Sequence, residues 1–472
     1  MTDILSEYSP LLEPRSIAVV GATPRLENLG FYVVMSLKTS GYEGRIFAVN
    51  PRGENVQDVP GFKSIKDIPE EVDMIVVTTP ARVVPSVVKE AGEKGVRAAV
   101  IISAGFKETG SAEGIKLQEE VIKLGRKYGI KIVGPNTFGI VNLHAKMNAS
   151  FTPTLSNVKR GNVSIVSQSG GICHIIAYYG MNEGLGFGKI IGLGNRCIVD
   201  FSDMLYYLAD DPQTRVIALY IEGVENAREL LAALEYASER KPVVVYKVGK
   251  MPISDKASLS HTGALAGNYK LYIAGLKQHG AVIVNSCIEL FDVAKALSLC
   301  PIPRGKRVAI ASKEAGPSMV ALDFLHEHGL EVAEFSEDTT NIIGELLPPV
   351  TIRSNPVDLG FVSTTNPLVV EKCLDAIAKD PNVDALLFIS LYHPVVLPPL
   401  RKLAKIAEET GKPVVASITA PPKEYMEFLN KLQEEGVPLF PSPERAVKAL
   451  AGLAKYAEVR ERIKLRKRDI RC

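Results

Sequence analysis

The sequence lacks an excess of charge of either sign and has no long hydrophobic run. Its 55 lysine and arginine residues are matched by 53 aspartate and glutamate residues, which leaves a net charge of +2. Such a balance provides no positive field for nucleic acid, and no uncharged apolar run is long enough to cross a bilayer. The opening residues carry neither the basic nor the apolar region of a secretory signal. These absences predict a cytoplasmic protein that binds neither nucleic acid nor membrane.

Paired cysteines of the kind that bind metals or exchange disulfides are also missing. The six cysteines are scattered along the chain without a C-x-x-C pair, which favours reduced thiols in a cytosol. His326 and His328 are two residues apart and would point to different sides of a helix. We therefore predict no metal site in this chain.

The length and composition are those of a globular protein with several domains. At 472 residues the chain is too long for one core, and length alone suggests about three domains. Hydrophobic residues make up 46% of the chain and charged residues 23%, as in ordinary globular proteins. Short Val/Ile runs alternate with amphipathic stretches, which is typical of parallel α/β sheets. The pattern predicts three α/β domains, over residues 1–136, 150–300 and 305–460.

The first segment contains five strand-like runs that end in small or turn-forming residues. Ser16–Val20 is followed by the turn Gly21-Ala22-Thr23-Pro24, and further runs begin at Arg45, Asp73, Ala98 and Lys131. Ligands of parallel sheets bind beyond the carboxyl ends of the strands. The sequence therefore predicts a ligand site at these turns.

The fingerprint of a nicotinamide dinucleotide site is missing from the first turn. Only Gly21 precedes Gly30, so no G-x-G-x-x-G forms, and the second run ends in Asn50-Pro51-Arg52 where NAD sites carry an acid. A neutral residue followed by a base suits a phosphorylated ribose instead, such as the 3′-phosphate of coenzyme A. An Arg52 that is simply a solvated turn residue explains the same pattern equally well.

A turn rich in hydroxyl groups and glycine follows the first strand of the second segment. Asn162–Val166 predicts that strand, and Ser167–Gly171 leads into an apolar helix. Such a helix start binds anions through free backbone N–H groups and the positive dipole end, although a plain serine N-cap is an equal alternative. Lys189–Asn195 and Val216–Gly223 are predicted as the next strands. Glu222, at the end of the latter, could meet a ligand or orient an imidazole, but a charged residue there is more often solvated.

One histidine lies in a stretch of small residues. Ser258–Gly267 places a hydroxyl on either side of His261 and glycines after it, in a loop that follows the strand-like run Pro242–Lys247. The lack of bulky neighbours would let another molecule approach the imidazole, and functional side chains often lie on such loops. From spacing alone, a capped helix start with an exposed His261 is the simpler interpretation.

The third segment repeats the arrangement of strand, turn and helix. Arg307–Ser312 predicts a strand, and Lys313–Ser318 forms the turn that leads into a helix ending near His328. By analogy with the second segment, this turn is a second candidate anion site.

Taken together, these motifs resemble the NDP-forming acyl-CoA synthetase family, which is related to succinyl-CoA synthetase. The similarity covers nearly the whole chain and rests on these motifs in order: Ser16–Thr23, Ile102–Phe106, Gly134–Asn136, Ser167–Gly170, Tyr220–Gly223, Ser260–Ala264 and Asn355–Asp358. The resemblance implies an α/β protein with an N-terminal Rossmann-like CoA-binding domain followed by two flavodoxin-like, succinyl-CoA synthetase-like domains. It also favours a catalytic role for His261.

The resemblance implies the catalytic α subunit of an ADP-forming acyl-CoA (acetyl-CoA) synthetase that works by a phosphoryl relay. Phosphate attacks an acyl-CoA, His261 takes the phosphoryl group from the acyl phosphate, and ADP receives it to form ATP. Glu222 matches the glutamate that hydrogen-bonds the imidazole. The implied phosphate-binding residues are Ser167, Gln168, Ser169, Gly170 and Gly171. The residues expected to bind coenzyme A, a substrate, are Gly21, Ala22, Thr23, Arg52, Ser103, Gly105, Pro135 and Asn136.

The nucleotide is expected on a second subunit, because the three α/β segments leave no room in this sequence for an ATP-grasp domain. The resemblance implies an ATP-grasp β subunit that binds ADP or ATP with Mg²⁺, in an α2β2 heterotetramer. The chain alone is therefore not expected to make ATP.

Several residues depart from the family pattern. Glu314 lies in the third-segment turn, where its charge would repel a phosphate. Thr137 and Phe138 replace a common Cys-Leu, and His174, which a packed core position would explain, stands where a small residue is usual. These departures leave open a non-catalytic, CoA-binding regulatory paralogue. An NAD-dependent oxidoreductase is a third alternative, which the missing fingerprint disfavours.

Overall fold

The computed structural model describes residues 3–251, 269–360, 362–393 and 398–469. The chain divides into two units, the first made of Met1–Met181 and Gly186–Cys287 and the second of Asn182–Leu185 and Ile288–Cys472. Two sheets belong to the first unit and one to the second. The predicted α/β fold class is confirmed, whereas the three domain boundaries stay a prediction.

The first sheet has six strands, and all of its pairings are parallel. Its order is β3-β2-β1-β4-β5-β6, the order of a Rossmann sheet. The strands are β1 (Ser16–Val20), β2 (Arg45–Val49), β3 (Gly61–Phe62), β4 (Met74–Val77), β5 (Ala98–Ile101) and β6 (Lys131–Val133), and the helices are α1 (Ile4–Leu12), α2 (Leu29–Thr39), α3 (Val84–Lys94) and α4 (Ala112–Tyr128). All five runs predicted in this segment are therefore strands.

Strand β1 explains why a continuous apolar run forms the centre of this sheet. All five of its residues are buried, and successive side chains of a strand point to opposite faces. Ile17 and Val19 accordingly pack into one apolar cluster, and Ala18 and Val20 pack into another. Both faces of the sheet are therefore covered, and its carboxyl edge is the place that remains for a ligand.

The second sheet has seven strands in the order β13-β12-β11-β9-β10-β7-β8. Its five parallel strands have the flavodoxin-like order that the resemblance implies. The strands are β7 (Gly139–Asn142), β8 (Met147–Ser150), β9 (Arg160–Ser167), β10 (Phe187–Gly192), β11 (Val216–Ile221), β12 (Val243–Lys247) and β13 (Ala281–Val284), and the described helices are α5 (Gly170–Glu183), α6 (Phe201–Asp210), α7 (Ala227–Ser238) and α8 (Tyr269–Gln278).

Two features of this sheet differ from the sequence-based expectation. Strands β7 and β8 form an antiparallel hairpin that extends the sheet beyond β10, although the sequence pattern predicted no strand there. Strand β10 ends at Gly192 rather than at Asn195. Gly194 has a φ of +56° and so cannot continue an extended strand.

The third sheet lies in the second unit and has the order β15-β14-β17-β18-β19, with β16 paired to β14. All of its pairings are parallel. The strands are β14 (Arg307–Ser312), β15 (Glu331–Val332), β16 (Val357–Asp358), β17 (Ala385–Leu391), β18 (Val414–Thr419) and β19 (Leu439–Phe440). The helices are α9 (Cys287–Leu299), α10 (Ala315–Glu327), α11 (Glu337–Leu346), α12 (Val362–Thr365), α13 (Pro367–Lys379), α14 (Leu400–Thr410), α15 (Pro422–Glu434) and α16 (Pro443–Asp469).

Candidate active site

A cavity of about 530 Å³ lies in the first unit, where strands from both of its sheets end. Ser103 and Asn136 line it from beyond β5 and β6, Gln168 lines it from beyond β9, and Glu222 from beyond β11. The structure thus brings residues predicted to bind coenzyme A and residues predicted to bind phosphate to one cavity. The carboxyl ends of parallel strands are the usual ligand sites of such sheets.

The turn between β9 and α5 is held by its own serine side chains. The Ser167 hydroxyl donates to the carbonyl oxygen of Ser169 at 2.8 Å and accepts from the Ser169 N–H at 3.0 Å. Helix α5 starts at Gly170, so the N–H groups of its first turn lack partners within the helix. Ser169, Gly170 and Gly171 line the cavity. These N–H groups and the positive end of the helix dipole favour an anion there.

The side chain of Gln168 joins this turn to the end of β11. Its Oε1 atom accepts the N–H groups of Glu222 at 2.6 Å and of Gly223 at 3.0 Å. These two bonds fix the orientation of the amide and identify Nε2 as a donor. Gln168 is only 6% exposed, and within the described residues Nε2 has no hydrogen-bond partner. Since buried donors need acceptors, an oxygen atom of a ligand in the cavity would satisfy it.

Glu222 is anchored by its backbone on both sides. Its N–H donates to Gln168, and its carbonyl oxygen accepts a hydrogen bond of 2.8 Å from Lys247 Nζ. Burial, together with the charge of Glu222 and a hydrogen bond to it, raises the pKa of the Tyr220 hydroxyl. The Tyr220 hydroxyl therefore remains protonated beside Glu222. Glu222 lines the cavity, as its predicted role as the hydrogen-bond partner of an imidazole requires.

Ser103 and Asn136 are held beside one another at the ends of β5 and β6. The Ser103 hydroxyl donates to the carbonyl oxygen of Thr79 at 2.5 Å, and the Ser103 carbonyl oxygen accepts the Asn136 N–H at 2.9 Å. The carbonyl oxygen of Pro135 accepts the N–H of Asn195 at 2.9 Å. These backbone contacts connect the end of the first sheet to the turn beyond β10.

Gly105, the next residue predicted to bind coenzyme A, has its N–H paired with the carboxylate of Glu108. The N–H of Gly105 donates to Glu108 Oε1 at 2.6 Å, and Asn195 Nδ2 donates to Glu108 Oε2 at 2.5 Å and to Gln118 Oε1 at 2.9 Å. Gly105 therefore positions this network in the described structure, and its N–H is already paired. A role for Gly105 in binding coenzyme A stays a prediction.

The other predicted coenzyme A residues are not part of the described cavity lining. Gly21, with a φ of +92°, begins the turn after β1, and Ala22 and Thr23 follow it. Arg52 is exposed, and its Nη1 lies 3.3 Å from Glu54 Oε1. The proposed roles of these residues in binding coenzyme A also stay predictions.

Three ring side chains that sequence reasoning did not assign to the site line the same cavity: Phe138, Phe151 and His174. The ring centroids of Phe138 and His174 are 5.2 Å apart at 65°, and those of Phe151 and His174 are 6.2 Å apart. His174 is half-buried at the cavity instead of packed in a core. Its position one turn after Gly170 in the predicted anion-binding helix was the available signal.

The turn between β14 and α10 repeats the serine arrangement of the first. The Ser312 hydroxyl donates to the carbonyl oxygen of Glu314 at 2.5 Å and accepts the Glu314 N–H at 3.2 Å. Glu314 Oε2 accepts the N–H of Leu391 at 3.1 Å, much as Gln168 accepts the N–H of Glu222. Burial raises the pKa of Glu314. Glu314 is itself the N-cap residue of α10, so an acidic side chain lies at this helix start, which disfavours a second bound anion.

His261, the predicted phosphoryl carrier, lies outside the described residues, so its role stays a prediction. Within the described residues, no group of three or more His, Cys, Asp and Glu side chains is arranged to hold a metal ion. Among the helices described, none combines the length and the apolar character needed to cross a membrane.

The chain matches three protein families in succession. Residues 15–142 match the CoA binding domain, residues 160–297 the succinyl-CoA ligase-like flavodoxin domain, and residues 308–465 the ligase-CoA domain. The cavity residues Ser103 and Asn136 fall in the first match, and Gln168 and Glu222 fall in the second.

Named relatives match the chain along nearly its whole length. It is 37% identical to the α subunit of acetate–CoA ligase (ADP-forming) II of Pyrococcus furiosus, over 94% of this chain and 97% of that protein. It is 36% identical to acetate–CoA ligase (ADP-forming) I of Archaeoglobus fulgidus, over 96% of this chain and 64% of that protein. The solved structure of an acetyl-coenzyme A synthetase from Candidatus Korarchaeum cryptofilum, in complex with phosphate and ADP, has a TM-score of 0.88 at 31% identity and covers 99% of both chains.

Proposed function

The chain belongs to the family of ADP-forming acetate–CoA ligase α subunits, and we propose that it is the catalytic α subunit of such a ligase in the cytosol. It converts an acyl-CoA, phosphate and ADP into the free acid, ATP and coenzyme A through an acyl phosphate and a phosphohistidine. The observation that carries this proposal is the joining of Gln168, Glu222, Ser103 and Asn136 at one cavity.

The first step is the attack of phosphate on the thioester. A phosphate oxygen bonds to the carbonyl carbon, the carbon–sulfur bond breaks, and the thiolate of coenzyme A leaves and takes up a proton. The N–H groups at the start of α5 and Nε2 of Gln168 hold the phosphate against the thioester. Ser103 and Asn136, which follow β5 and β6 of the first sheet, hold coenzyme A in the same cavity.

The second step transfers the phosphoryl group to His261. An imidazole nitrogen attacks phosphorus, the bond from phosphorus to the acyl oxygen breaks, and the acid leaves as a carboxylate. A neutral imidazole is a good nucleophile near pH 7, and phosphoryl transfer depends mainly on positioning and charge stabilisation. Glu222 accepts a hydrogen bond from the other ring nitrogen, which fixes the tautomer and stabilises the positive charge on the ring.

The last step passes the phosphoryl group from His261 to ADP on a partner subunit. We assign ADP and Mg²⁺ to an ATP-grasp β subunit and expect an α2β2 heterotetramer. Two comparisons support a separate partner: the Pyrococcus relatives are named as α subunits, and this chain matches 64% of the longer Archaeoglobus relative.

Reconstitution with the ATP-grasp subunit tests the proposal. We expect ATP to form only when acyl-CoA, phosphate, ADP and both subunits are present. If calorimetry shows that the chain binds coenzyme A but no acyl-CoA supports ATP formation, the protein is instead a regulatory, CoA-binding protein. Binding of a nicotinamide dinucleotide without binding of coenzyme A would contradict both functions.

A further inference from the structure

Glu108 joins two turns at the edge of the cavity, although it does not belong to the described cavity lining. Its Oε1 atom accepts the N–H groups of Gly105 at 2.6 Å and of Phe106 at 3.1 Å, and its Oε2 atom accepts Asn195 Nδ2 at 2.5 Å. Successive N–H groups form a concave site for an anion, and this carboxylate fills it. Hydrogen bonds to an ionised acceptor are roughly twice as strong as those between neutral groups. Glu108 therefore holds the Asn195 side chain against the turn beyond β5.

Asn195 links Glu108 to the part of the cavity formed by Ser103 and Asn136, which we call the coenzyme A side. The Asn195 amide has two further contacts there: Nδ2 donates to Gln118 Oε1 at 2.9 Å, and Oδ1 lies 3.4 Å from Asn136 Nδ2. Asn195 and Asn136 both line the cavity, whereas Glu108 and Gln118 are absent from its described lining. Glu108 thus acts on the cavity through Asn195.

The turn 193–196, which carries Asn195, is bonded through its backbone to both sides of the cavity. The Leu193 N–H donates to the carbonyl oxygen of Ser167 at 2.8 Å, and the Leu193 carbonyl oxygen accepts the N–H of Gly134 at 3.1 Å. Ser167 begins the proposed phosphate turn, and Gly134 begins the segment 134–136 that ends on the coenzyme A side. The turn 193–196 therefore sets the spacing between the proposed phosphate site and the coenzyme A side.

We propose that Glu108 is a positioning residue for the step in which phosphate attacks the thioester. It holds the turn 193–196 so that coenzyme A and phosphate meet at the right distance. The inference rests on the proposed function, since it concerns the alignment of two substrates of the same reaction. A misplacement of about 1 Å costs about 100-fold in rate. Without the Glu108 carboxylate each ligand still meets its own residues, so the alignment is lost and the affinities are kept.

Glu108→Gln in the reconstituted complex tests this role. The amide keeps one oxygen for the N–H groups of Gly105 and Phe106 but turns its own N–H group toward Asn195 Nδ2, which is also a donor. The substrate is whichever of acetyl-CoA, isobutyryl-CoA and phenylacetyl-CoA the unchanged complex uses fastest. We expect the single-turnover rate of coenzyme A release at saturating phosphate to fall by about 100-fold.

The binding measurements separate a positioning role from a loss of affinity. The phosphate concentration that gives half the maximal rate should change little, and so should the Kd of free coenzyme A by calorimetry. Loss of an interaction that binds substrate and transition state equally would instead raise these values and leave the maximal rate unchanged.

The double variant Glu108→Gln/Asn195→Ala tests whether Glu108 acts through Asn195. Residues that act through one contact show non-additive effects, so the double variant should react no more slowly than Asn195→Ala alone. Additive losses would overturn the inference. If Glu108→Gln does not fold, Asn195→Ala tests the same hydrogen bond from its other end. It must then show the slower rate with the coenzyme A affinity kept, or the inference is wrong.

The matched control is Glu225→Gln, the same chemical change in a neighbouring contact. Glu225 pairs at 2.7 Å with Lys107, the residue before Glu108, but its side chain is 55% exposed and such pairs contribute little. It should leave the rate and both affinities unchanged. If Glu108→Gln reacts as fast as this control, or if weaker coenzyme A binding explains its whole loss, the inference is overturned and the proposed function stands. No turnover of any acyl-CoA by the unchanged complex would overturn both.

Discussion

The side-chain oxygen of Gln168 accepts the backbone N–H of Glu222 at 2.6 Å, across 54 residues of sequence. This hydrogen bond ties the turn beyond β9 to the turn beyond β11. The bond uses the backbone N–H of Glu222, a residue that also lines the cavity. The proposed phosphate site and the proposed partner of His261 are therefore held in a fixed relationship by one amide group.

Replacement of Gln168 by Glu should separate the two roles of this side chain. Glu retains an oxygen for the N–H groups of Glu222 and Gly223 but replaces the buried Nε2 donor with a second carboxylate oxygen. We expect a folded protein with a raised KM for phosphate and kcat/KM lowered by about 100-fold, as for loss of one catalytic hydrogen-bond donor. The measurement is the phosphate dependence of coenzyme A release by the reconstituted complex.

The control for that variant is Gln278→Glu, the same change at an exposed position of α8. It should leave the phosphate KM unaltered. If Gln168→Glu binds and uses phosphate as well as the unchanged protein, the assignment of Nε2 to the phosphate is wrong.

Replacement of Gly30 by Ala should displace the turn Gly21–Thr23. An added Cβ atom at Gly30 would lie 2.2 Å from the carbonyl oxygen of Gly21 and 3.0 Å from Cα of Ala22. Overpacking of this kind costs roughly 1–3 kcal/mol, and here the backbone must move. We expect a lower melting temperature and, if this turn binds coenzyme A, an affinity for coenzyme A that is at least about tenfold weaker by calorimetry.

Gly316→Ala is a matched control, since Gly316 is likewise the second residue of its helix but has nothing within 4 Å of an added Cβ atom. Its stability should stay within about 0.5 kcal/mol of the original. Equal affinity of Gly30→Ala and Gly316→Ala for coenzyme A would remove the turn after β1 from the site.

Lys189 and Asp211 form an ion pair in the interior of the second sheet, and its loss should be costly. Their atoms are 2.7 Å apart, with side chains 0% and 3% exposed. Lys189→Met keeps the volume but leaves the Asp211 carboxylate unpaired, which costs about 3–5 kcal/mol of unfolding free energy. Lys66→Met, which breaks a more exposed pair with Glu93, should cost much less, because water and salt screen the exposed charges. Denaturant unfolding measures both, and similar costs would contradict the argument.

The same pair predicts a dependence of stability on pH. Burial raises the pKa of Asp211, but hydrogen bonds from Lys189 and Thr214 outweigh this and hold the pKa below the ordinary value of 3.8. The folded protein therefore binds this proton less readily than the unfolded chain. The contribution of ionised Asp211 to the free energy of unfolding is present above pH 3.8. It is lost as the pH falls through the lower pKa that Asp211 has in the folded protein.

The double variant Lys189→Met/Asp211→Leu removes the titrating group and the buried charge together. Its unfolding free energy should show a weaker decline than that of the original protein as the pH falls below about 4. Parallel pH profiles for the two proteins would show that Asp211 does not titrate with a lowered pKa.

The sheets were largely predictable because continuous apolar runs such as Ser16–Val20 fit strands that are buried on both faces. The hairpin of β7 and β8 was not predicted, since its buried positions include Asn142, Asn148 and Ser150. Hydrogen bonds satisfy them: Asn142 Nδ2 donates to the carbonyl oxygen of Leu12, and the Ser150 hydroxyl donates to Asn148. Polar residues satisfied in this way leave no hydrophobic periodicity in the sequence.

In the candidate site, a local motif predicts the turn at the start of a helix, but no motif predicts which distant side chains meet. The turn Ser167–Gly171 carries its own signal of hydroxyl groups and glycine at a helix start. The contact of Gln168 with the N–H of Glu222, and that of Phe138 with His174, depend on how strands pair. Neither contact joins residues that are neighbours in sequence, so no local pattern reports it.

Phosphoryl labelling of His261 tests the central claim most directly. The reconstituted complex is incubated with radiolabelled phosphate and acyl-CoA in the absence of ADP. We predict an acid-labile label on this chain that is lost in His261→Ala, strongly reduced in Glu222→Gln and kept in His279→Ala. Undiminished labelling of His261→Ala would contradict the account.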